Sequence, residues 1–122
     1  MSMTESNLPT RRVEFTEVAA VAPALAEYTQ KYVVGDLWAR PGLSKRDRSL
    51  ATVAALVARG QEVGYSHYIE GALDNGVTPA ELSELLLHLA FYSGWPNALS
   101  AIQAMRAAFV ERGIDASTLP PV

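Results

Sequence analysis

Residues 78–93 read TPAELSELLLHLAFYS, and this stretch decides the fold class. Thr78, followed three positions later by Glu81, forms a capping-box pattern, and Pro79 suits the first position of a helix. Leucine recurs at helical spacing through the segment, and Gly94 stands where such a helix should end. The stretch therefore predicts a capped α-helix.

Working outward, the same start and stop signals recur along the chain. Ser44 followed by Asp47 marks another helix start. Asn75-Gly76 is not flanked by alternating β-branched residues, so it predicts a helix end rather than a hairpin. The predicted helices span about residues 16–22, 23–37, 44–59, 62–75, 78–93 and 96–112. The sequence thus predicts an all-α fold, a compact bundle of about six helices.

Length and composition favour one globular unit. The chain has 122 residues, so we expect a single domain over residues 1–122. Residues 1–12 are polar and residues 115–122 hold two prolines, so we expect both ends to be loose tails. A hydrophobic content of 49% with 19% charged residues is typical of a folded rather than a disordered chain.

The residue types also exclude several classes of function. The chain has no cysteine, which excludes disulfides, thiolate metal sites and dithiol redox chemistry. A net charge of −3 gives no general attraction to nucleic acid or anionic lipid. No apolar run reaches the ~18 residues of a membrane span, and the N-terminus lacks the apolar core of a signal peptide. We therefore expect a cytoplasmic protein with no nucleic-acid or membrane partner.

Residues 45–48, KRDR, place three cations on the first turn of a helix, where the helix dipole disfavours them. Helical phase puts Arg46 on the inward stripe with Leu50 and Val53, and Arg48 nearly opposite, facing solvent or another subunit. An inward arginine needs a partner, either a carboxylate or an anionic ligand. The carboxylates considered are Glu62, Glu81 and Glu84.

The two histidines and the neighbouring tyrosines are the other candidates for chemistry. In the helix over 62–75, phase places Tyr65 and Tyr68 on the core side and His67 on the opposite side. The ordinary roles are a hydrogen-bonded core tyrosine and a solvated histidine. His88 is expected to pair with a carboxylate one turn before it. Two histidines without a metal-ligand spacing predict no metal site.

The helix over 78–93 is apolar nearly all round. Leu82, Leu86, Leu89 and Tyr92 belong to one broad face that also includes Leu85, while Leu87 and Phe91 lie on the reverse side. Such a helix in a small domain must be covered twice, once by its own core and once by something else. The pattern therefore predicts an oligomer, with Leu87 and Phe91 at or near a subunit contact.

Three blocks of sequence resemble the carboxymuconolactone decarboxylase family, over about residues 25–110. They are RPGL-x-x-R-x-RSL from Arg40, GAL-x-NGVT from Gly71 and Y-x-G-x-P-x-A from Tyr92. The resemblance implies an alkylhydroperoxidase-D-like fold assembled as a trimer or hexamer. It also implies a carboxy-lyase of aromatic-compound catabolism that converts 4-carboxymuconolactone to 3-oxoadipate enol-lactone and CO2 without a cofactor. The absence of cysteine excludes the thiol peroxidase activity of related proteins.

The resemblance also suggests a site for a small anionic substrate. The catalytic candidates are Tyr68, His67 and Arg46. The substrate-binding candidates are Arg40, Arg46, Trp38, Tyr65, Trp95 and His88. Relatives usually carry a histidine where this chain has Tyr68, so either the tyrosine is the proton donor, or a distorted helix brings His67 inward, or the chemistry has changed. The alternatives to a decarboxylase are a non-catalytic ligand-binding or assembly protein, and a lactone hydrolase or isomerase.

Overall fold

The structure, a computed structural model, describes residues 12–122, and within them the regular secondary structure is helical throughout, as the sequence predicts. The α-helices are α1 (Phe15–Val21), α2 (Pro23–Tyr28), α3 (Lys45–Ala58), α4 (Tyr65–Asp74), α5 (Pro79–Ser93), α6 (Trp95–Ser100) and α7 (Ile102–Glu111). A π-helix spans Thr29–Val34, and 3₁₀ turns span Leu37–Ala39, Glu62–Gly64 and Ala116–Thr118. The predicted N-terminal tail lies outside the described residues, apart from Arg12.

Local side-chain chemistry fixes the ends of the helices. The Ser44 hydroxyl accepts a hydrogen bond from the Asp47 amide at 3.0 Å and caps α3. At α5 the box is complete, because Thr78 Oγ1 accepts from the Glu81 amide at 3.1 Å and Glu81 Oε1 accepts from the Thr78 amide at 2.9 Å. Gly94 joins α5 to α6 at φ 94°, a conformation that side chains rarely tolerate.

The core is built where α3, α4, α5 and α7 meet. α3 packs on both α4 and α5, and α4 packs on α7. The inward stripe predicted for α3 is confirmed, since Val53 and Val57 are buried with Ile69 and Leu82. Apolar burial at about 25 cal/mol per Å² makes this cluster the main stabilising element of the chain.

Two predicted helices differ from those observed. The segment predicted as 23–37 is α2 followed by the π-helix, which ends where the Gly35 amide donates to the Gln30 carbonyl at 2.9 Å. The segment predicted as 96–112 is divided at Ala101 into α6 and α7. Just before this break the Ser100 hydroxyl donates to the Asn97 carbonyl at 2.6 Å, a local bond that competes with helix continuation.

The two ends of the described chain differ in how they contact the core. α1 packs mainly on α2, and α2 packs on the π-helix, so this arm reaches the core through the turn at Leu37–Ala39. Val21, Leu25 and Tyr28 on the arm are exposed. At the C-terminus, where the sequence predicts a loose tail, Leu119 packs against the core after a 3₁₀ turn.

Candidate active site

A shallow cleft of about 150 Å³ lies between the Leu37–Ala39 turn and α3. Its lining residues are Leu37, Trp38, Leu43, Arg48, Ala51 and Thr52. Four of these six side chains are apolar, and Arg48 is the charged group among them. We call this the Trp38 cleft. Apolar walls around a small number of polar groups are typical of sites that bind small molecules.

The tight turn at Gly35 positions Trp38 over α3. A Cβ atom at Gly35 would lie 2.9 Å from the Lys31 carbonyl oxygen and 3.0 Å from that of Gln30, closer than real Cβ contacts come. Because glycine has no Cβ, the backbone at Gly35 can pass this close to the carbonyl oxygens of the π-helix. The chain then enters the 3₁₀ turn that carries Leu37 and Trp38. A π-helix is rare and often lies beside a functional site.

Trp38 connects the cleft to the tyrosine that the sequence singled out. The Trp38 and Tyr68 rings are stacked, with centroids 6.2 Å apart and planes 22° apart. Tyr68 is half-buried and packs against the core, whereas His67 is exposed and touches the Tyr68 ring edge-on at 4.8 Å. Among residues 12–122, nothing hydrogen-bonds the Tyr68 hydroxyl. Since α4 is regular here, the structure gives no distortion that turns His67 inward.

Arg46 has the carboxylate partner that was one of its two predicted alternatives. Its Nη2 pairs with Glu81 and its Nη1 with Asp47 at 3.2 Å. The hydrogen bond from Arg46 to Glu81 raises the pKa of the guanidinium. The Thr78 amide first, and Arg46 second, lower the pKa of Glu81. Arg46 therefore links the start of α3 to the start of α5 through an ion pair. This corrects the expectation that its guanidinium is open to an anion.

Arg48, predicted to face solvent or another subunit, lines the Trp38 cleft, which is open at the surface. Its Nη2 donates to the Arg40 carbonyl at 3.3 Å. Its Nε is shielded from solvent and has no hydrogen-bond partner in the described part of the chain. The helical phase was right, since Arg46 and Arg48 do point in different directions. The turn at Leu37–Ala39 covers part of the outer side of α3, so Arg48 lies in a cleft rather than on a flat surface, and a contact with another subunit stays a prediction.

The remaining substrate-binding candidates fall in several places. Tyr65 is only 2% exposed, and its hydroxyl is 2.7 Å from the Ser100 hydroxyl, so it has the ordinary role of a bonded core tyrosine. The Arg40 side chain is exposed, and its backbone carbonyl is the group that Arg48 contacts. Trp95 is half exposed at the start of α6, with its ring 5.2 Å from that of Phe91. The structure thus brings Trp38 and Tyr68 together but not the whole predicted set.

A second cleft, of about 330 Å³, lies on the outer face of α5. Its lining residues are Glu84, Leu87, His88, Phe91 and Tyr92. We call this the α5 cleft. His88 stacks on Tyr92 with centroids 4.6 Å apart, in place of the ion pair predicted with a carboxylate. Tyr92 was predicted on the core face, but it is 80% exposed because it lies near the end of α5, beyond the reach of the core.

Of the six cleft residues, only Trp38 was a candidate from the sequence, and Leu37, Leu43, Arg48, Ala51 and Thr52 were not. The apolar spacing of LWARPGL hinted that Leu37 and Leu43 flank Trp38, but no periodic pattern places an irregular turn over a helix. Over the described residues, no three histidine or acidic side chains gather as metal ligands. In the same residues no helix has the length and hydrophobicity of a membrane span.

The geometry describes an all-helical protein with a small, cation-bearing surface cleft beside a tyrosine. The chain belongs to the carboxymuconolactone decarboxylase family, whose model matches residues 23–107. This confirms the family that the three sequence blocks suggested. The matched range includes α2 to α6, both clefts and most of α7.

Two relatives show how far the similarity extends. The chain is 37% identical over 87 residues to a 4-carboxymuconolactone decarboxylase of Acinetobacter baylyi, which covers 71% of this chain and 65% of the relative. It is 34% identical over 76 residues to a nitrosuccinic acid decarboxylase of Metarhizium robertsii, with 62% and 53% covered. The chain therefore spans between about half and two thirds of the length of these relatives.

Proposed function

We propose that this protein is a cofactor-independent decarboxylase of aromatic-compound catabolism that acts on a small carboxylated lactone such as 4-carboxymuconolactone. The observation that carries the proposal is Tyr68, stacked on a wall of the Trp38 cleft with its hydroxyl unengaged. The names of both relatives, each a decarboxylase, support the reaction class. The 37% identity to a 4-carboxymuconolactone decarboxylase supports the choice of substrate.

The chemistry assigns each residue a simple task. The bond between the ring and the leaving carboxylate breaks, CO2 departs, and the electron pair enters the conjugated lactone as a dienolate. The Tyr68 hydroxyl gives its proton to the α carbon, and the phenolate regains a proton from water. A phenol normally stays protonated at neutral pH, which suits an acid and not a base. The Trp38 wall lowers the polarity around the leaving carboxylate, which disfavours its charged form.

We further infer that the protein works as a cytoplasmic homo-oligomer, a trimer or hexamer as the family resemblance implies. Leu87, Phe91 and Tyr92 on the outer face of α5 are 52%, 73% and 80% exposed. Adjacent apolar side chains exposed to this extent are typical of a protein interface. Sedimentation at micromolar concentration tests this assembly, and a stable monomer would contradict it.

The test of the reaction is to mix purified protein with 4-carboxymuconolactone and no added metal or cofactor. CO2 and the enol-lactone should form in equal amounts. Trapping of the gas measures the first, and NMR of the product measures the second. A ring-opened or rearranged product that keeps both carboxylates would favour a hydrolase or isomerase. Binding without any change in the lactone would favour the non-catalytic alternative.

A further inference from the structure

Arg48 is a cation whose hydrogen-bonding capacity is mostly unused. Its single hydrogen bond within the described residues, to the Arg40 carbonyl, is 3.3 Å long, slightly beyond the usual range for N–H···O. Its Nε–H is covered and has no acceptor. A buried donor without an acceptor is costly, and more so on a charged group. Its Nη1 also has no acceptor in the described residues, so the terminal nitrogens keep free donors that an anion in the cleft could take.

The other arginines with assigned pairs differ from Arg48 in this respect. Arg46 contacts Asp47 and Glu81, and Arg112 contacts Glu70 and Asp74 at 3.3 and 2.9 Å. None of the six residues lining the Trp38 cleft is acidic. The cleft therefore presents a positive charge that the protein itself does not neutralise there.

The shape of the cleft limits what the charge can bind. A cavity of about 150 Å³ is the size that accommodates one benzene molecule in an apolar protein interior. Trp38 lines the cleft with an aromatic ring, and Leu37, Leu43 and Ala51 add apolar surface. A small planar acid fits these walls, with its carboxylate on the guanidinium.

We propose that Arg48 holds the carboxylate that stays on the substrate, while the planar ring lies against Trp38. This inference rests on the proposed decarboxylase function and names the residue that orients its substrate. One guanidinium pairs with one carboxylate, so the second carboxylate of a dianion lies against apolar walls. That unpaired carboxylate is the one that leaves as neutral CO2 while its electron pair passes into the ring, and the arrangement therefore selects which of the two leaves.

The test measures binding without turnover. Trp95 is replaced by phenylalanine so that fluorescence reports Trp38 alone, and the protein is titrated with benzoate and with uncharged benzamide. Benzoate should quench Trp38 saturably and bind more tightly than benzamide. Arg48→Gln should weaken benzoate binding by about 10- to 150-fold, the range for losing a hydrogen bond to a charged group, and should remove the preference over benzamide.

The controls separate this inference from the proposed reaction. Arg59→Gln removes the same charge from the other, exposed end of α3 and should leave benzoate binding unchanged. Arg48→Lys keeps the charge without the planar fork and should give intermediate binding, with folding checked by circular dichroism. Equal benzoate binding by Arg48→Gln and the parent overturns the inference, even if CO2 is released. Binding that depends on Arg48 supports the inference, even if no CO2 is released from 4-carboxymuconolactone.

Discussion

The Trp38 cleft and the α5 cleft are both largely apolar, and each is lined by an aromatic residue that stacks on another ring, but they differ in charge and burial. The first has a half-buried arginine without a carboxylate partner, and its Trp38 wall stacks on Tyr68, which packs against the core. The second is lined by residues that are exposed, including Phe91 and Tyr92. An apolar surface alone therefore does not identify a reaction site. The unsatisfied cation distinguishes the Trp38 cleft, and the exposure distinguishes the α5 cleft.

This contrast predicts that changes at the first cleft affect chemistry and changes at the second affect assembly. The largest expected effect is on turnover. Tyr68→Phe removes the proton donor and should lower kcat for 4-carboxymuconolactone by roughly 10²-fold or more, while His67→Ala changes it little. Stopped-flow absorbance of the lactone measures both. If His67→Ala proves the more damaging variant, the proton donor is His67.

The next effect concerns the turn that builds the Trp38 cleft. Gly35→Ala forces a Cβ against two backbone carbonyls and should lower the free energy of unfolding by about 1–3 kcal/mol. Gly42→Ala is the matched control, because a Cβ there meets no atom within 4 Å. Urea titration compares the two variants. Equal stability of both would mean that the turn adapts and does not hold Trp38 in place.

At the α5 cleft the expected change is in the mass of the assembled protein in solution. Phe91→Ser should raise the subunit dissociation constant by about tenfold, because a large aromatic residue near the centre of an interface contributes strongly to binding. Val110→Ser, an exposed apolar position on α7, serves as the control. Sedimentation across a dilution series measures the constant. A Phe91→Ser protein that stays as tightly assembled as the parent would exclude this face from the interface.

The smallest effect lies outside both clefts, at the ion pair between Arg46 and Glu81. Since the fold lowers the pKa of Glu81, this carboxylate stabilises the protein above the pKa of an unfolded glutamate, about 4.3, and loses its effect as pH falls through the lowered value. Glu81→Gln should therefore melt at a lower temperature than the parent at pH 7, and the gap should shrink as the pH is lowered below the pKa of an unfolded glutamate.

The exposed Glu111→Gln, on α7, is the control for this pH effect, because Glu111 lines neither cleft. Turnover at pH 7 and at a temperature below the melting transition should change little in either variant. A loss of activity in Glu81→Gln without a loss of stability would return Arg46 to the reaction site.

Helical periodicity predicted much of the fold because the core helices α3, α4, α5 and α7 each bury one stripe of residues. The expected burial is found at Val53, Val57 and Ile69. The capping box at Thr78 fixes the start of α5. The break at Ala101 escaped prediction because it accompanies contacts of Ser100, one of which is made by Tyr65, distant in sequence. Periodic patterns carry no information about such contacts.

The site was predicted less completely for the same reason. Phase placed Tyr68 correctly on the core side and separated it from His67. Phase also separated Arg46 from Arg48, but the role of each depends on which irregular segment or distant carboxylate meets it. Glu81 lies 35 residues beyond Arg46 in the sequence. The Leu37–Ala39 turn that lies over Arg48 follows a π-helix, which the hydrophobic pattern does not reveal.

The most direct measurement of the central claim is a crystal structure of the protein with 3-oxoadipate enol-lactone, the product of the proposed reaction. The product retains one carboxylate and cannot lose a second in the same way. We predict that its ring lies against Trp38, with the carboxylate on the Arg48 guanidinium and the Tyr68 hydroxyl facing the ring. A product molecule bound in the α5 cleft, or bound without contact to Arg48 and Tyr68, would contradict the account.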